Sequence, residues 1–191
     1  MAEDAAMCAS EEAMNEKALG ILIRRELLAG LARYGVTDLP VKQGYQPTTQ
    51  GRVTRCLYFW PLPDAPEGWQ YRRHVTDPDT LLVTTEESQI IASSFQVGAL
   101  VPDDPNNLTQ KTAKDLTVIA RMVVQSQPFL RAMTAENVGV RRPSDVRNPQ
   151  FVNDRDQYEF SPSFDFTVTH KQVIIQLTDS IERVEVNIHR V

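Results

Sequence analysis

Residues 160–171 alternate with a period of two. Phe160, Pro162, Phe164, Phe166, Val168 and His170 fall on one side, and Ser161, Ser163, Asp165, Thr167, Thr169 and Lys171 on the other. Successive side chains of a strand point to opposite faces, so this stretch predicts a strand with a buried aromatic face and a hydroxyl-rich outer face. A different period governs residues 11–34. There Leu19, Leu22, Ile23, Leu27, Leu31 and Tyr34 recur at steps of three and four, as one side of a helix does. Glu11 and Glu12 suit the positive end of its dipole, and Gly35 suits its stop. Gly20 and Gly30 weaken that helix and point to close packing.

The remaining elements follow from the same two periods. Val53–Trp60 is apolar on both faces and reads as a buried strand. A proline-rich loop follows, and Trp69–Thr76 reads as a partner strand, so the pair is expected to form a hairpin with a long tip between Trp60 and Trp69. Glu86–Val101 is a long strand with Ile91, Phe95, Val97 and Ala99 on one face. Thr112 with Asp115 resembles a capping box, opening a helix to Ser126 with Leu116, Ile119, Ala120, Val123 and Val124 as its stripe. A short helix is expected at 128–135, with Pro128 in its first turn. Short strands are expected around 137–142 and 145–152, then at 173–177 and 184–191. In the last, Val184, Val186 and Ile188 share a face. The order predicts an α+β chain with a mostly antiparallel sheet. Residues 1–16 hold five acids and no base and read as an acidic arm; 17–191 is expected to be one α+β domain.

Composition narrows the function. The chain has 191 residues and a net charge of -5, and no basic patch of the kind that grips nucleic-acid phosphates. The arginine pairs at Arg24, Arg72 and Arg141 are isolated. Two cysteines, Cys8 and Cys56, make no disulfide framework, and a reducing compartment fits. No leader is expected at the N-terminus, and no apolar run approaches the ~18 residues that span a bilayer.

Candidate chemistry concentrates in residues 148–170. Asp154, Asp156 and Glu159 could supply oxygen ligands to a hard cation, but no glycine stands at EF-hand spacing and Arg155 interrupts the acids. A solvated turn before a strand accounts for them. Asp165 and Lys171 share a face, yet no Glu-x-Lys follows as a metal-dependent nuclease would need. His74, His170 and His189 stand in no nucleophile context, and Cys56 reads as a small core residue. No glycine-rich phosphate loop occurs. The sequence thus offers no catalytic residue, metal site or cofactor, and points instead to surfaces for assembly with copies of itself or other subunits.

Several segments carry a resemblance. "GYQPTTQG", "SFQVGAL", "VRNPQFVNDRDQYEFSPSFDFTVTH" and "VEVNIHRV" resemble the tailed-bacteriophage gateway proteins, which are neck or tail terminator-like. The similarity runs from about Val41 to Val191. It implies an α+β tail-terminator-like fold and a structural virion protein, a homo-oligomeric ring of six subunits in the head-to-tail connector. Collar or connector subunits would lie on one side, tail tube or sheath subunits on the other, and DNA would pass through the lumen. It implies no catalytic residues, no cofactor and no membrane. A terminator that caps the tail tube and sheath is the alternative; a metal-dependent nuclease is a remoter one. The motif Asn153–Asp156 matches the family pattern, and Arg155 is expected to pair across a subunit interface beside Asp154 and Asp156. Arg141, Arg142, Asp165, Lys171, Tyr45 and Gln46 are the other expected contacts.

Overall fold

A computed structural model describes residues 14–44, 55–77, 82–102, 106–107, 109–152 and 158–179. In chain order the elements are α1 (Glu16–Arg33), β1 (Val41–Gln43), β2 (Cys56–Pro61), β3 (Ala65–Thr76) and β4 (Leu82–Leu100). Then come α2 (Ala113–Gln125), α3 (Gln127–Ala135), β5 (Gly139–Val140), β6 (Gln150–Val152), β7 (Tyr158–Phe160) and β8 (Ser163–Asp179). This is an α+β fold: helices against a mixed, mostly antiparallel sheet. The main path of the sheet is β1-β2-β4-β8-β5, with β3 also on β4; β6 and β7 form a separate pair. Among the described strands only β1 and β2 pair in parallel.

The first helix starts at Asn15, whose Oδ1 accepts from the Ala18 N–H at 2.8 Å. Leu19, Leu22, Ile23, Leu27 and Leu31 are buried along it, as their spacing predicts. Gly35, at φ 73, supplies the left-handed residue past its end. Gly30 marks where α1 crosses α2. A Cβ placed there would stand 2.1 Å from Cγ1 of Val123, so only glycine permits the approach. The helix layer covers Phe95, Val97 and Ala99 of β4 and Phe164, Phe166 and Val168 of β8, all at most 2% exposed. Phe59, Phe95, Phe166 and Phe164 pack in a row through this core, edge-on, stacked and tilted in turn, with neighbouring ring centroids 5.7–6.4 Å apart.

Three strand assignments differ from the sequence expectation. First, β2 and β3 do not pair with each other. Both lie along β4, β2 opposite Phe95–Leu100 and β3 opposite Val83–Ala92. Residues 62–64 are a short link, held by Leu62 N–H to the Ser94 carbonyl at 2.8 Å. Proline has no N–H for a ladder, so pairing lapses at Pro63, but the 19-residue β4 is long enough to hold a second strand beyond it. Second, residues 173–177 are not a separate strand. No glycine or proline interrupts them, and they continue β8 to Asp179. Third, the alternation over 160–171 belongs to two strands, because Ser161 and Pro162 separate β7 from β8. The expected strand at 184–191 lies outside the described residues.

The long strands outrun the helices. β4 and β8 pair from Gly98↔Ser163 to Leu82↔Asp179. Helices cover only the Gly98 half. The other half, flanked by β3, forms a three-stranded arm of Tyr71–Thr76, Val83–Ser88 and Val173–Thr178. All of β3 from Tyr71 onward is exposed.

Candidate assembly surfaces

The sheet has two faces with different chemistry. Phe95, Val97, Phe166 and Val168 point to the helices. Ser94, Gln96, Asp165 and Thr167 point the other way, onto an outer face that no helix among the described residues covers. Tyr58 and Trp60 of β2 open that face, their rings stacked at 5.0 Å and 7°. Beside them Gln96 donates to Ser163 Oγ at 3.2 Å, and the Ser94 and Thr167 hydroxyls meet at 2.9 Å. The hydroxyl-rich face predicted from alternation is therefore present, and its hydroxyls bond across strands.

A strap borders this face. The N–H groups of Arg141, Ser144 and Arg147 donate to the carbonyls of Thr167, Asp165 and Ser163 at 2.8–2.9 Å, covering that edge of β8. Asp165 takes the Arg147 guanidinium, and its own N–H donates to Ser144 Oγ at 2.8 Å. Arg121 ties the strap to α2 through the Ser144 carbonyl, 2.7 Å, and Asp145, 3.2 Å. Arg141 pairs with Glu67 of β3, and Lys171 with Glu86 of β4 at 3.1 Å. These pairs are partly exposed, where a single ion pair is worth under ~1 kcal/mol. Arg142 is exposed and has no ion-pair partner among the described residues. Four expected contact residues, Arg141, Arg142, Asp165 and Lys171, thus lie on or beside the outer face. Asp154, Arg155, Asp156, Tyr45 and Gln46 lie outside the described residues.

The arm is the second surface. Trp69 is 97% exposed at its root, where the register shifts between Glu67 and Tyr71 and Gly68 takes φ 68. Tyr71, Val75, Ile90 and Ile175 are exposed on the face continuous with Ser94 and Thr167. Sequence reasoning missed this arm because it turns on a long-range fact, that β3 and the end of β8 both pair with β4.

A cavity of about 450 Å³ opens on the helix side of the arm's root, among Asn15, Glu16, Leu19, Leu62, Asp64 and His170. His170 is 8% exposed, with Nε2 3.1 Å from Ser93 Oγ. Burial pushes its imidazole below the ordinary 6.5, against the opposing pull of the Asp64 carboxylate. Cys56 is buried, and burial pushes its thiol up, which fits a core role. Among the described residues no three His, Cys, Asp or Glu side chains gather as metal ligands do.

A family model, described as the E217 gateway protein gp29, matches residues 18–180. The chain belongs to that family. It is a structural protein of the phage neck and tail class. The match covers the helix layer, the sheet and the arm. It begins before Val41 and takes in α1, the helix expected as a common feature of the family although its sequence carries the resemblance only weakly. No curated protein matches the chain significantly. Among solved structures it is similar to the sheath/tube terminator of an extracellular contractile injection system, PVC, in the extended state. The two are 9% identical with a TM-score of 0.46, over 90% of this chain and 63% of that one. This chain therefore spans less than two thirds of that structure's length.

Proposed function

We propose that the protein forms a ring in the head-to-tail connector of a tailed phage, joining the collar side to the tail and passing DNA through its lumen. The observation that carries this is the family match over residues 18–180. The fold supplies two surfaces through which subunits can meet, an outer sheet face that no described helix covers and an arm beyond the helices. Closed rings are built from head-to-tail contacts between two different patches on each copy. A ring of six would carry a formal charge of about -30, and an acidic lumen would repel DNA phosphates so that the genome slides without sticking. The role is structural and needs no cofactor, and no helix among the described residues is long and apolar enough to cross a membrane.

Contacts to neighbours are assigned to the outer face and strap, with Arg142 reaching a partner; Arg155, Asp154, Asp156, Tyr45 and Gln46, which lie outside the described residues, are proposed as contacts as well. Arg141, Asp165 and Lys171 already hold partners within the chain, so each would join an interface by sharing them. Light scattering of the purified protein, alone and with collar and tail-tube subunits, tests the reading. A six-subunit mass, alone or on adding a partner, is expected. A monomer indifferent to both would overturn it.

A further inference from the structure

The arm has two long edges without a strand partner among the described residues. One is β3 from Tyr71 to Thr76, paired only with β4. The other is β8 from Gln172 to Gln176, because β5 and the strap cover β8 no further than Thr169. On each edge alternate N–H and C=O groups point away from the arm. No proline or lysine interrupts Tyr71–Thr76 or Gln172–Gln176, and the register shift lies at the root. Such edges are templates for another strand.

Both edge strands run antiparallel to β4, so they run parallel to each other. We infer that they pair between neighbouring copies, β3 of one subunit against β8 of the next, in parallel. This rests on the ring reading above and specifies its contact. Rotation about an axis along the arm brings each β3 edge to the next β8 edge in the same sense, so the contact is head-to-tail and closes. Pairing β3 with a second β3 would be self-complementary and would stop at two copies.

Two further observations fit. Val75 and Ile175 are 46% and 55% exposed on the same face, one on each edge strand, so the pairing puts an apolar side chain on either side of the new contact. Three strands from each of six copies give about 18 strands. At ~4.8 Å spacing and ~40° tilt these close a barrel roughly 35 Å across between backbones, wide enough to hold a water-filled channel.

Cysteine cross-linking tests this. Within one chain Val75 and Ile175 stand on either side of β4, two strand spacings across the sheet and two residues along it, about 12 Å apart. A disulfide needs Cα atoms within ~7 Å, so a bridge between them can form only between copies. V75C/I175C and V75C/V173C, each in a Cys8→Ser background, are assembled, sized by light scattering and oxidised. A ladder of disulfide-linked species reaching the subunit number of the ring is expected from at least one. Both remaining uncross-linked in an intact ring would overturn the edge pairing and leave the ring standing. Absence of any ring, with or without collar and tail-tube subunits, would overturn both.

Discussion

Arg141 pairs with Glu67, 74 residues away, across the outer face of the sheet. Arg141 borders β8, whereas Glu67 belongs to β3, and β4 lies between those strands. The pair therefore clasps the root of the arm to the strap. Both side chains are partly exposed, so the coupling is modest. A double-mutant cycle with Arg141→Ala and Glu67→Ala is expected to give about 0.2–1 kcal/mol, shrinking as salt rises. Full additivity at low salt would show that the contact contributes nothing.

Local order was readable and long-range order was not. Thr112 and Asp115, three residues apart, announced their capping box, and both halves are present: Asp115 N–H donates to Thr112 Oγ1 at 3.2 Å, and Thr112 N–H to Asp115 Oδ2 at 3.0 Å. The stripes of α1 and α2 and the alternation of β8 were equally plain, because each is a periodicity within one element. The Arg141–Glu67 and Arg147–Asp165 pairs left no such trace, since register between distant strands decides them. The hairpin misreading has the same origin. β2 and β3 are adjacent in sequence, yet both found room on β4. His170 sits on the apolar side of the alternation and is buried, but its cavity depends on α1 and the 62–64 link arriving together.

The capping box makes a pH-dependent prediction. Hydrogen bonds from the Thr112 backbone and hydroxyl hold the Asp115 carboxyl below its ordinary 3.8. A depressed carboxyl stabilises the fold above 3.8, and that contribution is lost as pH falls through the lower folded value. Thr112→Ala is expected to destabilise by about 1 kcal/mol near neutrality in urea unfolding. Asp115→Asn should also destabilise near neutrality, with its deficit closing in acid. A deficit constant from neutral to strongly acid pH would contradict the assignment.

Gly30 tests the helix crossing. Alanine is ordinarily the better residue inside a helix, by about 0.5–1 kcal/mol. Here its Cβ would overlap Val123, so Gly30→Ala is expected to lose about 1–3 kcal/mol. Adding Val123→Ala should return part of that loss, giving a double variant more stable than the two separate losses sum to. A Gly30→Ala protein as stable as wild type would mean that the helices can move apart.

His170 makes stability fall on mild acidification. Its folded imidazole titrates below 6.5, so the unfolded chain binds the proton more readily. Stability is full above 6.5 and declines as pH drops through that value towards the folded one. Replacing His170 with Gln removes this dependence. The gap in unfolding free energy between the two proteins should therefore change between about pH 8 and about pH 5, to the disadvantage of wild type in acid. The two curves running parallel would show that His170 is not the group responsible.

Charge reversal separates the two arginines assigned to subunit contacts. Arg155, in the segment matching the family pattern, is expected to pair across the interface, so Arg155→Glu would place like charges against each other. Arg142 is exposed and without an ion-pair partner among the described residues, so Arg142→Glu disturbs no pair described within the subunit. Both variants are expected to fold with wild-type circular dichroism and melting temperature but to shift ring mass towards monomer. The shift should ease as salt screens the repulsion, since exposed charges lose most of their interaction beyond a Debye length of ~8 Å at physiological salt. Rings of unchanged mass and salt tolerance in Arg155→Glu would remove that residue from the interface. The same outcome in Arg142→Glu would turn the strap away from the neighbouring copy and leave the arm as the principal contact.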